Sequence, residues 1–422
     1  MEREYKTKSG VSIYGYKNPA QNSFFLSLFV KAGSMYEEAH LSGISHFLEH
    51  VAIRNVNALM GGELYSTLDR LGLEFNASTF SEMIQFYISG ASCHIEDALP
   101  IITGLFLPLV LSPSEIAAER RRIKAEMRES DDKNSLASFT NKIVFEDTPL
   151  ASSIVGTART VDFIGIKRLE EYRKSILTKE NVFFYVTGNF EEHHISRLSE
   201  LVDGYDLPSG ERKENIAPVP KGFFNRSCGV FVKPSDFTMV RFTFDLDMTK
   251  ISMAECDLLY DVLLSGYNSM LFIEMSEKRG LFYDTSGAVE RYKNIGSFYF
   301  SFEVKEKELY EAIELTLSLL SELGSRALPE DRLMKAGYVD NGMMLFDDAR
   351  ELNFTFAYDN HIMDLGFSDI EARKAAYKRV TPEDLRRAAA GIFRKENLTV
   401  TIKGNRRKID TSAIERIIGE LL

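Results

Sequence analysis

The chain has 422 residues, 44% hydrophobic and 27% charged, an ordinary balance for a globular protein and enough length for roughly two to four domains. Its net charge of -11, with no basic tract to neutralise phosphates, excludes a nucleic-acid binder and mildly favours basic or neutral partners. Cys93, Cys228 and Cys256 are few, odd in number and unclustered, which excludes a disulfide framework and a cysteine metal site and fits a reducing compartment. The first six residues lack the apolar core of a signal peptide, and Glu2 and Glu4 are wrong for a transit peptide. The longest apolar run, Leu99 to Leu111, is too short for a bilayer span and is broken by Pro100 and Pro108, so it reads as a buried helix end. The expectation is a cytoplasmic protein with no membrane partner.

In chain order, residues 11 to 32 are rich in Phe, Val and Tyr about an Asn18-Pro19 turn signal and predict two strands. A helix follows from about Ser42 to Leu59, then, past Gly61-Gly62, a short one ending at Gly72. Leu73 to Thr79 has strand periodicity, and Met83 to Ala91 looks like its neighbour. The chain turns helical from Ile95, and a second long helix opens at Ser112-Pro113, where the missing proline N–H does no harm. Ile166 to Ser175 is helical, Asn181 to Thr187 a strand, and Glu191 to Val202 helical again. Asp203 to Gly222 then breaks pattern, with Gly204, Pro208, Gly210, Pro218 and Pro220.

The second half repeats the first. Lys179-Glu-Asn to Gly188-Asn189 recurs as Lys395-Glu-Asn to Gly404-Asn405 at an offset of 216, and Pro113 meets Pro329 at the same offset. Asp69-Arg-Leu-Gly72-Leu-Glu-Phe75 resembles Glu277-Lys-Arg-Gly280-Leu-Phe-Tyr283 at an offset of 208. Shared order at nearly shared spacing predicts two homologous α+β halves, 1–205 and 223–422, joined by a linker at 206–222.

Chemistry concentrates in Gly43-Ile-Ser-His46-Phe-Leu-Glu49-His50. Residues four apart stack on one helix face, so His46 and His50 can close on one metal ion while Glu49 leans toward it. Ile44, Phe47, Leu48 and Val51 mark this helix as mostly buried, where unpaired imidazoles would be costly. Two imidazoles and an adjacent carboxylate are the parts of a zinc hydrolase, and a catalytic zinc takes a third protein ligand. The charged helix after Pro113 is by composition a solvated face, although Glu119 and Glu126, seven apart, share one side of it. His193-His194 sits in a polar stretch and reads as surface. Met253 to Leu264 stands where a second metal helix would be and carries no histidine, so only one half can hold metal.

The His46-Phe-Leu-Glu49-His50 order resembles the signature of the pitrilysin-type metallopeptidases, the inverzincin group that contains insulin-degrading enzyme and mitochondrial processing peptidase. The resemblance spans nearly the whole chain, which is similar to the processing-peptidase beta subunit and to short bacterial members. It implies two halves of mainly antiparallel sheet packed with helices. It also implies Zn2+ held by His46, His50 and Glu126, the last 76 residues beyond His50 as in the family, with manganese or cobalt able to replace zinc in a preparation. Glu49 is then the general base and Glu119 an accessory carboxylate orienting a ligand imidazole. Gly33-Ser34 with Glu37-Glu38 is similar to the motif preceding the family's zinc helix, with Met35 where a basic residue is usual. Phe75, Asn76, Ala77, Ser78 and Thr79 resemble the family's edge strand, which pairs with extended peptide.

Glu277 to Tyr283 resembles the second-half motif whose tyrosine donates to the substrate, but the family's arginine seven residues earlier is Ser276 here. Short family members complete a clam-shell by dimerising. The resemblance therefore implies a peptidase acting on oligopeptides or unfolded segments as a homodimer, or as a heterodimer with a related chain that lacks the zinc motif and supplies the Arg/Tyr pair. The alternative is a non-catalytic substrate-capturing or assembly subunit, against which the complete set His46, Glu49, His50 and Glu126 speaks.

Overall fold

The strand-forming stretches assemble into two sheets. In the computed structural model, which describes residues 1–129, 135–226, 229–340 and 348–422, the first sheet has six strands. Their spatial order is β1 (Arg3–Lys6), β2 (Ser12–Lys17), β6 (Val182–Gly188), β3 (Ser23–Val30), β5 (Ile84–Ala91) and β4 (Glu74–Thr79). The second runs β7 (Gly229–Pro234), β11 (Leu398–Gly404), β8 (Thr238–Asp247), β10 (Ile295–Val304) and β9 (Thr285–Arg291). Only β2 with β6 and β7 with β11 are parallel; the other neighbours are antiparallel. With β1 set aside, the two sheets share one strand order, and β6 and β11 keep the 216-residue offset. Gly72 and Gly280, paired by the repeat, both adopt left-handed backbone, φ 63° and 62°, which a side chain would strain. The fold is thus two α+β halves, as the repeat predicted.

Burial follows position in the sheet. Phe24 to Val30 of central β3 is buried throughout, the near-continuous apolar run of a strand covered on both faces. Edge strand β4 alternates instead, with Phe75 and Ala77 buried and Glu74 and Asn76 exposed. The helices that matter for the site are α1 (Ile44–Leu59), α2 (Leu64–Leu71), α3 (Ile95–Thr103) and α4 (Pro113–Glu129). Pro329 does not open a long helix as Pro113 does; it precedes a single turn at Glu330–Leu333 and a short helix, Ala336–Val339, and 341–347 lie outside the described residues. Among the described residues no helix is long and apolar enough to cross a membrane.

The compact units are not consecutive in the chain. The first comprises Met1–Asp132, Ser152–Asn215 and Gly342–Ile370; the second comprises Lys133–Ala151, Ile216–Asn341 and Glu371–Leu422. Each unit therefore takes a segment from beyond the linker expected at 206–222. The reason is that a sheet with two apolar faces needs both covered. In the first unit the helix Ala349–Ala357 sets Leu352, Phe356 and Ala357 against Tyr16, Phe29, Phe183 and Tyr185. In the second, Thr140 of the helix Leu136–Val144 reaches the Thr401 hydroxyl of β11 at 2.6 Å.

Asn353 fastens the borrowed helix to the first sheet. Fully buried, it donates to the Phe25 and Tyr185 carbonyls at 3.1 and 2.8 Å and accepts from the Ser27 hydroxyl at 2.7 Å. Asn353→Ala strips a partner from each of these buried groups and is expected to destabilise the protein by about 2–4 kcal/mol, read as a lower urea midpoint.

Candidate metal centre

Helix α1 starts with no capping side chain of its own, at Gly43, whose φ of 92° and close approach to the Val155 carbonyl leave no room for a Cβ. The buried Glu37 carboxylate replaces the cap, accepting the Gly43 and Ser45 N–H groups at 2.7 and 2.8 Å, favourable charge at a helix N-terminus. Burial pushes the Glu37 pKa up, and these bonds draw it back. Phe47, Leu48, Val51 and Ala52 turn into the core, which leaves His46, Glu49 and His50 to face α4 and β4.

Helix α4 brings the other half of the site. Ile116, Glu119 and Ile123 are its buried residues, and Glu126 continues the same face one turn on, half-buried. Arg120 ties α4 down, donating to the Val161 and Ile164 carbonyls at 3.1 and 2.7 Å with its guanidinium 5.7 Å from the Phe47 ring centre.

At the meeting point, Glu126 Oε1 lies 3.5 Å from His46 Nε2 and Glu126 Oε2 lies 3.5 Å from His50 Nε2. One donor atom from each of the three residues falls within 4.8 Å of the others. A gap of 3.5 Å is long for a hydrogen bond. It is close to the separation of about 3.3 Å that two ligands have on a tetrahedral ion with bonds of about 2.0–2.1 Å. Burial, and then the nearby His50, lower the His46 pKa to about 4, so its imidazole is neutral at pH 7, the form a metal takes. Two imidazoles and a carboxylate are zinc's preferred nitrogen and oxygen donors, and three ligands leave a coordination position open. The residues fit the ion.

The surrounding groups orient this set. Glu119 Oε2 faces His50 Nδ1 at 3.4 Å, while Glu119 Oε1 accepts from Arg54 Nη1 at 2.7 Å. The bond to His50 and the guanidinium hold the Glu119 pKa down despite burial. Glu49 is no part of the three-donor set. Its Oε2 accepts the Thr79 hydroxyl at 2.5 Å, and burial raises its pKa against the lowering effect of that bond. Glu49 is half-buried and lies within electrostatic reach of His50 and Glu126.

The other predicted site residues are placed as follows. In β4, at the sheet edge, Phe75 and Ala77 are buried, Asn76 is exposed with its Oδ1 accepting the Ala77 N–H at 2.9 Å, and Ser78 is half-buried. Tyr283 belongs to the second unit, and its side chain is 97% exposed. Ser276 lies in the helical turn Phe272–Glu277; the nearest arginines in sequence, Arg279 and Arg291, are engaged by Glu274 and Asp257. Sequence reasoning missed Arg54, although it stands four residues after His50 on the same helix face. It also missed the Thr79–Glu49 bond, for which no local signal existed. A second donor set, Glu96, His193 and His194, is exposed or half-exposed, and His194 Nδ1 is taken by the Glu191 N–H at 3.0 Å as a helix cap.

The low His46 pKa has a measurable consequence. In metal-free protein the unfolded chain takes up this proton near pH 6.5 and the folded chain only near pH 4, so stability falls as pH drops through that window. The loss for this group is of the order of 3 kcal/mol, and His46→Gln is expected to flatten the urea-denaturation pH profile between those limits.

Comparison with known proteins gives the family. Residues 14–158 match the family profile described as Insulinase (Peptidase family M16), and residues 164–336 match Peptidase M16 inactive domain. An uncharacterized zinc protease of Rickettsia bellii is 28% identical over 306 residues, 69% of this chain and 71% of that protein. The crystal structure of a peptidase M16 inactive domain from Pseudomonas fluorescens superposes with a TM-score of 0.84 at 17% identity, covering 96% of this chain and 98% of that one. The periplasmic protease PqqL of Escherichia coli superposes with a TM-score of 0.78 at 16% identity, covering 100% of this chain but 50% of the other. Both halves of the sequence match domains of one peptidase family and the fold agrees with its solved structures: the chain belongs to the pitrilysin-type peptidase family M16.

Proposed function

We propose that this chain is a zinc-dependent endopeptidase that hydrolyses peptide bonds in oligopeptides or unfolded segments. The observation that carries the reading is the approach of His46, His50 and Glu126 to within 4.8 Å of one another with Glu49 beside them, a complete set of ligands and base. The kinship with proteins named zinc proteases supports it. When bound, zinc supplies Lewis-acid polarisation of the scissile carbonyl and lowers the pKa of a water to roughly 7.

The chain's own residues do the rest. His46, His50 and Glu126 hold the ion, and Glu119, fixed by Arg54, keeps the His50 ring in place through Nδ1. Glu49 accepts the proton of the attacking water and passes it to the leaving amine. The free side of β4 offers backbone N–H and C=O groups to an extended peptide, which gives affinity with little demand on sequence and favours flexible chains.

We also infer a dimeric working form. This chain covers half of the PqqL chain, so two copies match the length of that single-chain protease. Tyr283, 97% exposed, is free to serve as a donor in such an assembly. A homodimer using Tyr283 alone is one form. Ser276 in place of the family arginine favours the other, a heterodimer with a related chain that lacks the zinc motif and contributes the Arg/Tyr pair. The few unclustered cysteines, with Cys93 and Cys256 free, support a cytoplasmic, reducing location.

The test is hydrolysis of a quenched fluorogenic peptide library by the purified chain at stoichiometric zinc, with the solution mass measured in parallel. Cleavage is expected, and Glu49→Gln should lower kcat by about 100-fold or more while zinc stays bound. A zinc-loaded dimer that cleaves nothing would reject the self-sufficient enzyme and point to the partner chain.

A further inference from the structure

The site's least expected contact joins the base to the edge strand. Thr79 is the last residue of β4, and alternation along the strand puts it on the same side as Phe75 and Ala77, the buried side that packs on α1. There its hydroxyl donates to Glu49 Oε2 at 2.5 Å. The donor is rigid for independent reasons. Thr79 pairs with Ile84 of β5, and a β-branched side chain has few rotamers to choose from. The two residues after it are also pinned: the Phe80 N–H donates to the Met83 carbonyl at 2.8 Å, and the Ser81 carbonyl accepts the Met35 N–H at 2.9 Å.

Resting on the peptidase reading, we infer that Thr79 is a positioning residue, whose hydroxyl fixes the Glu49 carboxylate and ties it to the strand that receives the substrate backbone. With Oε2 committed to Thr79, Oε1 is the oxygen left to take the water proton. A glutamate has three side-chain torsions, and the Thr79 backbone N–H also draws on this carboxylate, so one residue of β4 supplies both anchors. Strand register and base position are then a single variable, because a slip of one residue in β4 turns Thr79 to the opposite face. A peptide added to the free side of β4 is read in a frame already aligned with the base.

The experiment compares Thr79→Val, which keeps shape and strand preference, with Thr79→Ser, which keeps the hydroxyl. Thr79→Val is expected to lower kcat by about 10- to 100-fold with KM changed less than about twofold and zinc content unchanged, and Thr79→Ser to recover most of the loss. Full kcat in the valine variant, a rise confined to KM, or failure of serine to rescue would overturn the assignment. Melting temperatures of metal-free wild type, Thr79→Val, Glu49→Ala and the double variant test the same pair without activity. The valine substitution should cost roughly 2–4 °C less when Glu49 is already absent, and additive shifts would refute the bond whatever the chain cleaves. A wild type that cleaves no peptide but shows the non-additive cycle would remove the peptidase reading and leave the Thr79–Glu49 tether standing.

Discussion

Two imidazoles drawn out of water have to find an acceptor or an ion, and this constraint shapes the first unit. His46 is 7% exposed and its pKa falls to about 4, so it cannot answer Glu126 with a positive charge at neutral pH. The 3.5 Å gaps from Glu126 to both Nε2 atoms are too long for strong hydrogen bonds. Holding three such groups together costs desolvation, and an ion that takes all three offsets it.

The burden of keeping α1 and α4 in register falls on groups outside that set. Glu37 satisfies the start of α1, Arg120 lies over Phe47 and reaches two carbonyls beyond α4, and Arg54 clamps Glu119, which in turn faces His50. Each is a polar side chain that makes hydrogen bonds at the interface, which is how such groups persist there. Glu119 therefore joins Arg54 on one side and the His50 imidazole on the other.

The second unit shows the same strand order put to another use. Its counterpart helix, Met253–Leu264, presents Asp257 and Asp261 instead of histidines. Asp257 accepts Arg291 at 2.6 Å and the Tyr377 hydroxyl at 2.7 Å, while burial and the Asp257 charge push Asp261 up to about 6. This is an ion-pair network, satisfied within the unit, with no second group of donors gathered for a metal among the described residues there. On a shared strand order, the helix of the first unit carries clustered imidazoles and its counterpart in the second carries paired aspartates.

Much of this was legible in the sequence because it is local or periodic. His46 and His50 share a face whatever surrounds them, since four residues are about one helical turn. The strand runs at β3 and β6, the proline opening α4 and the 216-residue repeat are likewise written along the chain. The long charged helix reads as solvated because composition averages over its faces; that Glu119 alone among its acids is buried depends on which face meets α1. Arg54 was within reach of the same spacing rule that found His50, whereas the Thr79 bond required the register of β4 against β5 and the packing of α1 beneath it. The helix Ala349–Ala357 joins the first unit across the 126 intervening residues Ile216–Asn341 because a second apolar sheet face needed covering. The sequence by itself determined the repeat, the family and the shared face of His46 and His50; the tertiary structure decided which carboxylates face those imidazoles and which strand meets Glu49, because those are contacts between elements whose separation in the chain carries no record of their distance in space.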